Sequence, residues 1–168
     1  PKYLAINPMG QVPALRHGQT IITETAAICA YLADTFPAAG LAPSLNDPKR
    51  GTYYRWLFFM ASSFDAAFTN KYLGFVVPKD KEAMVGYGNF NDVLNTLEQA
   101  VSNSDYLLGE HFSAADVYTG AYINLALNIG GIERRDAFVR YVARLNERPA
   151  KIRADQIDDA LLGSAVKP

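Results

Sequence analysis

The chain has 168 residues and a formal net charge of −1, with 49% apolar and 20% charged residues. This length fits one large domain or one and a half small ones, and the composition is ordinary for a soluble globular protein. The balanced charge excludes a strong electrostatic preference for nucleic acid or anionic membranes. The single cysteine, Cys29, excludes an intrachain disulfide, and no apolar run is long enough to span a membrane, so we expect a cytoplasmic protein.

The residues from Pro1 to Leu4 show neither an initiator methionine nor the pattern of a signal peptide. They lead directly into an apolar segment. We therefore expect an internal start, with part of the protein lying before Pro1.

Turn and strand patterns dominate the start of the chain. The predicted elements are a turn at Asn7-Pro8-Met9-Gly10, a strand over Val12–Leu15, a turn at His17-Gly18-Gln19, a return strand over Thr20–Ile22, and a helix from an N-cap at Thr23 to about Thr35. Phe36 precedes a proline and therefore ends this helix. Because a two-stranded hairpin with one helix cannot bury its own faces, we expect further strands to complete the sheet.

Residues 37–47 predict a linker, since small and turn-forming residues dominate them. Helical patterns fill residues 48–168. The predicted helices run from Pro48, with Asp47 as N-cap, to about Gly74, from about Asp80 to Ser102, from Ser113 to about Gly130, from about Arg134 to Glu147, and onward from Pro149. Gly86 and Gly88 weaken the first half of the second of these helices. The fold class is thus α/β over residues 1–36, followed by an all-helical region.

The Val12-Pro13 step opens the first predicted strand, where a proline cannot donate to the strand ladder. A cis bond would turn the N–H and C=O of Val12 outward together, so that a small peptide could add as an extra strand. The alternative is a trans proline on an edge strand without a ligand. The low frequency of cis bonds favours this alternative when the dipeptide is taken alone.

Glu24 and Thr25 stand at the start of the first predicted helix. The first N–H groups of a helix lack partners and carry partial positive charge, so they could bind a ligand carboxylate, with the Thr25 hydroxyl as a further donor. Glu24 could pair with a ligand ammonium. The alternative is ordinary helix capping, with Thr23 as N-cap and Glu24 favoured in the first turn.

A folding motif precedes the third long helix. Ser113 as N-cap and Asp116 three residues later form a candidate capping box, and Phe112 and Val117 occupy the positions of a hydrophobic staple. We expect Asp116→Ala to lower the free energy of unfolding by about 1 kcal/mol, with little direct effect on binding.

The aromatic helix between Tyr53 and Tyr72 predicts core packing for most of its rings, which include Trp56, Phe58, Phe59, Phe64 and Phe68. Its polar interruption at Ser62, Ser63, Phe64 and Asp65 indicates either a rim facing a cleft or partner chain, or a solvated turn. His17 and His111 lack the spacing of metal ligands and predict surface positions. Cys29 predicts a small buried group rather than a nucleophile.

Three motifs in the same order resemble those of cytosolic glutathione S-transferases, the bacterial type above all. They are Asn7-Pro8-x-Gly10-x-Val12-Pro13-x-Leu15, Thr23-Glu24-Thr25-x-x-Ile28-x-x-Tyr31-Leu32, and Leu108-Gly109-x-x-Phe112-Ser113-x-x-Asp116. The resemblance implies the C-terminal part of a thioredoxin-like domain at 1–36, a linker at 37–47 and an all-helical domain at 48–168.

The resemblance also implies a function, namely transfer of glutathione to an electrophilic, mostly apolar substrate by a homodimer without a metal. It implies a glutathione site at Gln11, Val12, Pro13, Glu24 and Thr25. Ser62, Ser63, Phe64 and Asp65 would line the substrate cleft and the partner subunit's site. The catalytic residue that activates the thiol is expected before Pro1. The alternatives are a non-catalytic binding module of the same fold and a glutathione-dependent reductase or dehalogenase.

Overall fold

The computed structural model describes residues 2–165, over which a β-hairpin is followed by helices. The strands are β1 (Ala14–His17) and β2 (Thr20–Thr23), and the α-helices are α1 (Thr25–Thr35), α2 (Lys49–Phe59), α3 (Asp65–Tyr72), α4 (Phe90–Ser102), α5 (Ala114–Asn128), α6 (Asp136–Asn146) and α7 (Pro149–Ala165). Single 3₁₀ turns lie at Tyr3–Ala5 and Pro37–Ala39, and a longer one lies at Lys79–Met84. None of the helices in this range has both the length and the apolar character needed to cross a membrane.

The predicted hairpin is confirmed, with β1 and β2 antiparallel and Ala14 opposite Thr23. A two-residue loop joins them, and its first residue, Gly18, has a φ of 60°, as a type II′ turn requires. The ladder begins at Ala14 and not at Val12, because Pro13 has no N–H to donate to it.

The start of α1 differs from the prediction. Thr23 is the last residue of β2, and the N-cap is Glu24, so the prediction of Thr23 as N-cap is wrong. Thr23 is held in the ladder by its pairing with Ala14, which removes it from the helix. The end of the helix at Thr35, before Phe36 and its following proline, is confirmed.

The long aromatic helix is interrupted by a π-helical segment, Met60–Phe64, between α2 and α3. The N-cap of α2 is Pro48 and not the predicted Asp47, since the helix begins at Lys49. The carboxylate of Asp47 still binds the start of the helix, since its Oδ1 accepts a hydrogen bond from the N–H of Lys49 at 2.8 Å. Trp56 and Phe64 are buried and Phe59 and Phe68 pack against the core. Phe58 is 67% exposed, so the prediction of a core position is wrong for this ring.

The second predicted helix is shorter than expected. The residues from Lys79 to Met84 form a 3₁₀ turn, and α4 begins only at Phe90. Gly88 has a φ of 67°, which a regular helix cannot contain. Asn89 then provides a new N-cap, because its Oδ1 accepts a hydrogen bond from the N–H of Asp92 at 3.0 Å.

Helix α5 lies at the centre of the core and packs against α1, α2 and α6. Gly120 permits the contact with α6, since a Cβ at this position would overlap the side chain of Leu145. The buried residues of α5 are mostly small or apolar, namely Ala114, Ala115, Asp116, Tyr118, Thr119, Gly120, Ile123, Ala126 and Leu127. The contact with α1 brings one face of α5 close to the start of the chain, and the candidate site lies there.

Candidate functional site

A cleft of about 260 Å³ opens where the segment before β1, the start of α1 and the middle of the helical region meet. Its lining residues are Asn7, Gln11, Val12, Pro13, Glu24, Thr25, Ala26, Ala61, Asp65, Tyr118 and Tyr122. All five residues that the resemblance implies for glutathione are therefore among them. Larger clefts lie between α3 and α4 and before α5, but none of these five residues lines either of them.

The Val12-Pro13 peptide bond is cis, which confirms the geometry considered from the sequence. Val12 is 79% exposed. Within residues 2–165, its main-chain N–H and C=O form no hydrogen bond, because the ladder of β1 starts two residues later. Val12 thus offers one donor and one acceptor to an extended peptide lying in the cleft.

The loop that contains Val12 is stabilised by side-chain hydrogen bonds to its main chain. The main-chain oxygen of Gln11 accepts hydrogen bonds from the hydroxyl of Tyr3 at 2.7 Å and from Nδ2 of Asn7 at 2.6 Å. Asn7 is 6% exposed, and its Oδ1 accepts a hydrogen bond from the N–H of Met9 at 3.1 Å. The sequence indicated only a turn at Asn7, where an asparagine side chain commonly accepts a hydrogen bond from the N–H two residues further on.

Glu24 adopts a backbone conformation that is rare for a side-chain-bearing residue, with φ 68° and ψ 117°. Its main-chain oxygen accepts the first helical hydrogen bond of α1, from the N–H of Ile28 at 2.9 Å. Its side chain does not fold back, and no described side chain caps this helix. The first N–H groups of α1 are therefore open to a ligand carboxylate, and the exposed Glu24 carboxylate is open to a cation.

The opposite wall of the cleft is formed by Asp65, Tyr118 and Tyr122. The hydroxyl of Tyr122 donates to Oδ1 of Asp65 at 3.4 Å. The ring of Tyr122 is fixed by edge-on contacts with Phe64 and Tyr118, with centroid distances of 6.0 and 5.1 Å. Burial, and then the negative charge of Asp65, raise the pKa of Tyr122, so this phenol keeps its proton at neutral pH and acts as a donor.

The four residues predicted for the substrate cleft and partner subunit divide into different environments. Asp65 lines the cleft, whereas Ser63 is only half-buried outside it. Ser62 is exposed, and its Oγ donates to the main-chain oxygen of Phe58 at 2.8 Å. Phe64 is fully buried. The prediction of a cleft position is therefore wrong for Phe64, because the π-helical segment turns this ring into the core.

The other candidates lie away from the cleft. His17 and His111 are exposed, as predicted, and Nδ1 of His17 is hydrogen-bonded to the hydroxyl of Tyr31 at 2.8 Å. Cys29 is half-buried in α1, and burial raises the pKa of its thiol. Within the described part of the chain, no group of three His, Cys, Asp or Glu side chains is arranged to hold a metal ion.

Comparison with known sequences identifies the family. Residues 1–49 match the family described as glutathione S-transferase, N-terminal domain. The chain is 31% identical to glutathione S-transferase GstA of Escherichia coli O157:H7 over 170 residues, which cover 98% of this chain and 79% of that protein. It is 27% identical to glutathione S-transferase GST-4.5 of Xanthomonas campestris pv. campestris, over 94% of this chain and 82% of the relative.

Solved structures agree with this assignment. A sphingomonad glutathione S-transferase in complex with glutathione is 29% identical, has a TM-score of 0.75, and is matched over 94% of this chain and 78% of its own. A glutathione transferase homologue from Sulfitobacter with bound glutathione is also 29% identical, with a TM-score of 0.76 over 94% of this chain and 79% of its own. The hairpin with α1 corresponds to the thioredoxin-like part of these folds and the following helices to their helical domain. The 31% identity to GstA extends over most of both sequences, and the fold is shared with the solved transferases. This chain therefore belongs to the glutathione S-transferase family.

Proposed function

We propose that this protein is a glutathione transferase that joins the sulfur of glutathione to an electrophilic, mostly apolar substrate. One observation carries the proposal. The uncapped start of α1, the free Glu24 carboxylate and the unpaired main chain of Val12 all lie in the same cleft. Glutathione carries groups that complement each of them, since it is a peptide with one ammonium and one carboxylate at its γ-glutamyl end.

The proposed pose follows from these complementary groups. The main chain of Val12 pairs with the cysteinyl part of glutathione, next to Gln11 and Pro13. Glu24 binds the γ-glutamyl ammonium. The adjacent carboxylate binds the first N–H groups of α1 and the hydroxyl of Thr25. The two related transferases with glutathione bound, from a sphingomonad and from Sulfitobacter, support the choice of this peptide as ligand.

In the proposed reaction, the glutathione sulfur attacks an electrophilic carbon of the second substrate. A carbon–sulfur bond forms, the bond to the leaving group breaks, the leaving group departs with its electron pair, and the thiol proton passes to solvent. The cleft contributes by holding the peptide in one orientation, which removes much of the entropic cost of bringing two reactants together. We assign no residue of the described range to lowering the pKa of the thiol.

The proposal also covers the domains of the protein and its assembly. Residues 1–36 form the glutathione-binding part, 37–47 the linker, and 48–168 the helical domain that supplies the substrate side of the cleft. The protein works as a cytoplasmic homodimer, in which the exposed side of the π-helical segment near Ser62 and Ser63 faces the partner subunit.

Two measurements on the full chain test the proposal. Isothermal titration with glutathione should show saturable binding, and incubation with glutathione and 1-chloro-2,4-dinitrobenzene should release chloride faster than the uncatalysed reaction. Binding without conjugation of this or other electrophiles would favour the non-catalytic module. Reduction of a glutathione mixed disulfide in place of conjugation would favour the reductase. The absence of both binding and conjugation would overturn the proposal.

A further inference from the structure

The cleft contains more negative charge than glutathione binding uses. Two carboxylates line it, Glu24 and Asp65, and among the described residues no lysine, arginine or histidine lines it. In the proposed pose Glu24 pairs with the single ammonium of glutathione, and the start of α1 takes the neighbouring carboxylate. Asp65 is left without a partner from the peptide.

Asp65 also forms no ion pair with a basic side chain of the described residues. Its one hydrogen bond in the described range comes from the hydroxyl of Tyr122, at 3.4 Å. A carboxylate has capacity for about four hydrogen bonds, and Asp65 is only half-buried. Its remaining acceptor sites are therefore available to a molecule in the cleft, which Asp65 lines together with Val12 and Pro13.

The position of Asp65 is specified by packing. It is the first residue of α3, directly after the π-helical segment, and such segments are frequent at functional sites. Tyr122 approaches it from α5, a helix 57 residues further along the chain, with its ring held between Phe64 and Tyr118. A carboxylate held in one place by a protonated phenol is suited to accept a hydrogen bond from a bound molecule.

We infer that Asp65, positioned by Tyr122, selects electrophiles that carry a cationic hydrogen-bond donor, such as an ammonium group, beside an apolar reactive part. This inference rests on the proposed transferase function and specifies its substrate class. An anionic electrophile is disfavoured in the same cleft, because it would meet the unpaired carboxylate of Asp65 and, among the described lining residues, no basic side chain.

A set of three electrophiles with one reactive centre tests the inference. They are 4-chloro-3,5-dinitrobenzoate, its N-propyl amide and its N-(2-aminoethyl) amide, which are anionic, neutral and cationic. In each reaction the carbon–sulfur bond forms, the carbon–chlorine bond breaks, chloride leaves and the thiol proton passes to buffer. Values of kcat/KM at saturating glutathione are divided by the uncatalysed rate constant of the same electrophile. This division removes differences in intrinsic reactivity.

We expect the unmodified protein to prefer the cationic amide to the neutral one by about fivefold and to use the anion least. Asp65→Asn should remove this preference without changing the KM for glutathione. Tyr122→Phe, which keeps the ring and loses the donor, should reduce the preference partly. Asp158→Asn, at an exposed position on α7, is the matched control and should leave all three values unchanged.

Equal use of the neutral and cationic amides by the unmodified protein would overturn the inference, and so would a preference that survives in Asp65→Asn. A rise in the KM for glutathione in Asp65→Asn, with the preference intact, would assign the carboxylate to glutathione instead. Conjugation of the neutral amide separates these outcomes from a failure of the transferase proposal, in which none of the three compounds would react faster than in buffer. Unfolding midpoints equal to that of the parent confirm that each variant is folded.

Discussion

The hydroxyl of Tyr141 in α6 donates to Oδ1 of Asp116 in the first turn of α5 at 2.9 Å, in the fully buried interior. The same carboxylate accepts hydrogen bonds from the N–H of Leu107 at 2.8 Å, the N–H of Ser113 at 2.9 Å and Oγ of Ser113 at 3.0 Å. Burial raises the pKa of Asp116, and these four hydrogen bonds oppose that rise. The capping box predicted from the sequence is present at the start of α5. Its Asp116 also links α5 to α6 through Tyr141 and to the preceding loop through Leu107.

Asp116→Ala should therefore lower the free energy of unfolding by more than the loss of an exposed helix cap does. All four donors belong to the three buried residues Leu107, Ser113 and Tyr141 and would lose their acceptor, and each buried unsatisfied donor costs about 1–3 kcal/mol. We expect the free energy of unfolding to fall by about 4 kcal/mol, compared with about 1 kcal/mol for a cap alone. Urea titration followed by circular dichroism measures this change.

Tyr141→Phe removes one donor of the same network and should lower the free energy of unfolding by about 1.5 kcal/mol. Asp92→Ala is a matched control, since Asp92 occupies the corresponding position of α4 but is exposed. Asp92→Ala should lower the free energy of unfolding by about 0.5 kcal/mol. Equal losses for Asp116→Ala and Asp92→Ala would contradict the network.

Asn7 stabilises the loop that is proposed to bind glutathione, and it does so as a hydrogen-bond donor. Nδ2 of Asn7 binds the main-chain oxygen of Gln11 at 2.6 Å, and its Oδ1 receives the N–H of Met9. Asn7→Asp keeps the size and the acceptor but loses the donor and places a negative charge beside a carbonyl oxygen. We expect it to lower the free energy of unfolding by about 2 kcal/mol and to weaken glutathione binding at least tenfold.

Titration calorimetry and urea unfolding check both effects of Asn7→Asp. Asn91→Asp, at an exposed position of α4, is the matched change and should leave both quantities as they are. Full glutathione affinity in Asn7→Asp would show that the loop keeps its shape without this hydrogen bond.

The parts of the structure that the sequence predicted correctly depend on local chemistry. The hairpin follows from a turn containing glycine and from the β-branched residues of the return strand, and the box at Ser113 and Asp116 follows from residue types three positions apart. The gathering of Gln11, Val12, Glu24 and Thr25 in one cleft follows from the short connections between them. Each of these features is contained in a window of about 15 residues or fewer.

The remaining features depend on tertiary contacts. Thr23 has good capping chemistry, but pairing with Ala14 keeps it in the strand and passes the cap position to Glu24. The hydrogen bond from Tyr122 to Asp65 joins residues 57 positions apart, and neither helix shows a local pattern that indicates it. A π-helical segment likewise has no sequence pattern of its own, so the burial of Phe64 could not be separated from the exposure of its neighbours.

Cys29 should react slowly with iodoacetamide in the folded protein. Its pKa is raised by burial, and the thiolate is the reactive form, so the fraction of thiolate at any given pH is lower than for a free cysteine. We expect the rate of alkylation to keep rising with pH beyond about 8.5, the ordinary thiol value. In urea the same cysteine should regain an ordinary profile. A rate that levels off below that value in the folded protein would show an activated thiol and contradict the expectation.

Glu24 combines an unfavourable backbone conformation with a proposed role in binding, and two substitutions separate these properties. Its φ of 68° lies in the region that favours glycine. Glu24→Gly should relieve this strain and raise the free energy of unfolding by about 1 kcal/mol. Glu24→Gln keeps the strain and should leave stability unchanged. Both remove the carboxylate proposed to bind the γ-glutamyl ammonium, so both should weaken glutathione binding about fivefold.

Calorimetric titration and urea unfolding of the two Glu24 variants measure these effects side by side. If Glu24→Gly were less stable than the parent, the backbone conformation would not be strained; if Glu24→Gln bound glutathione as tightly as the parent, the carboxylate would have another role.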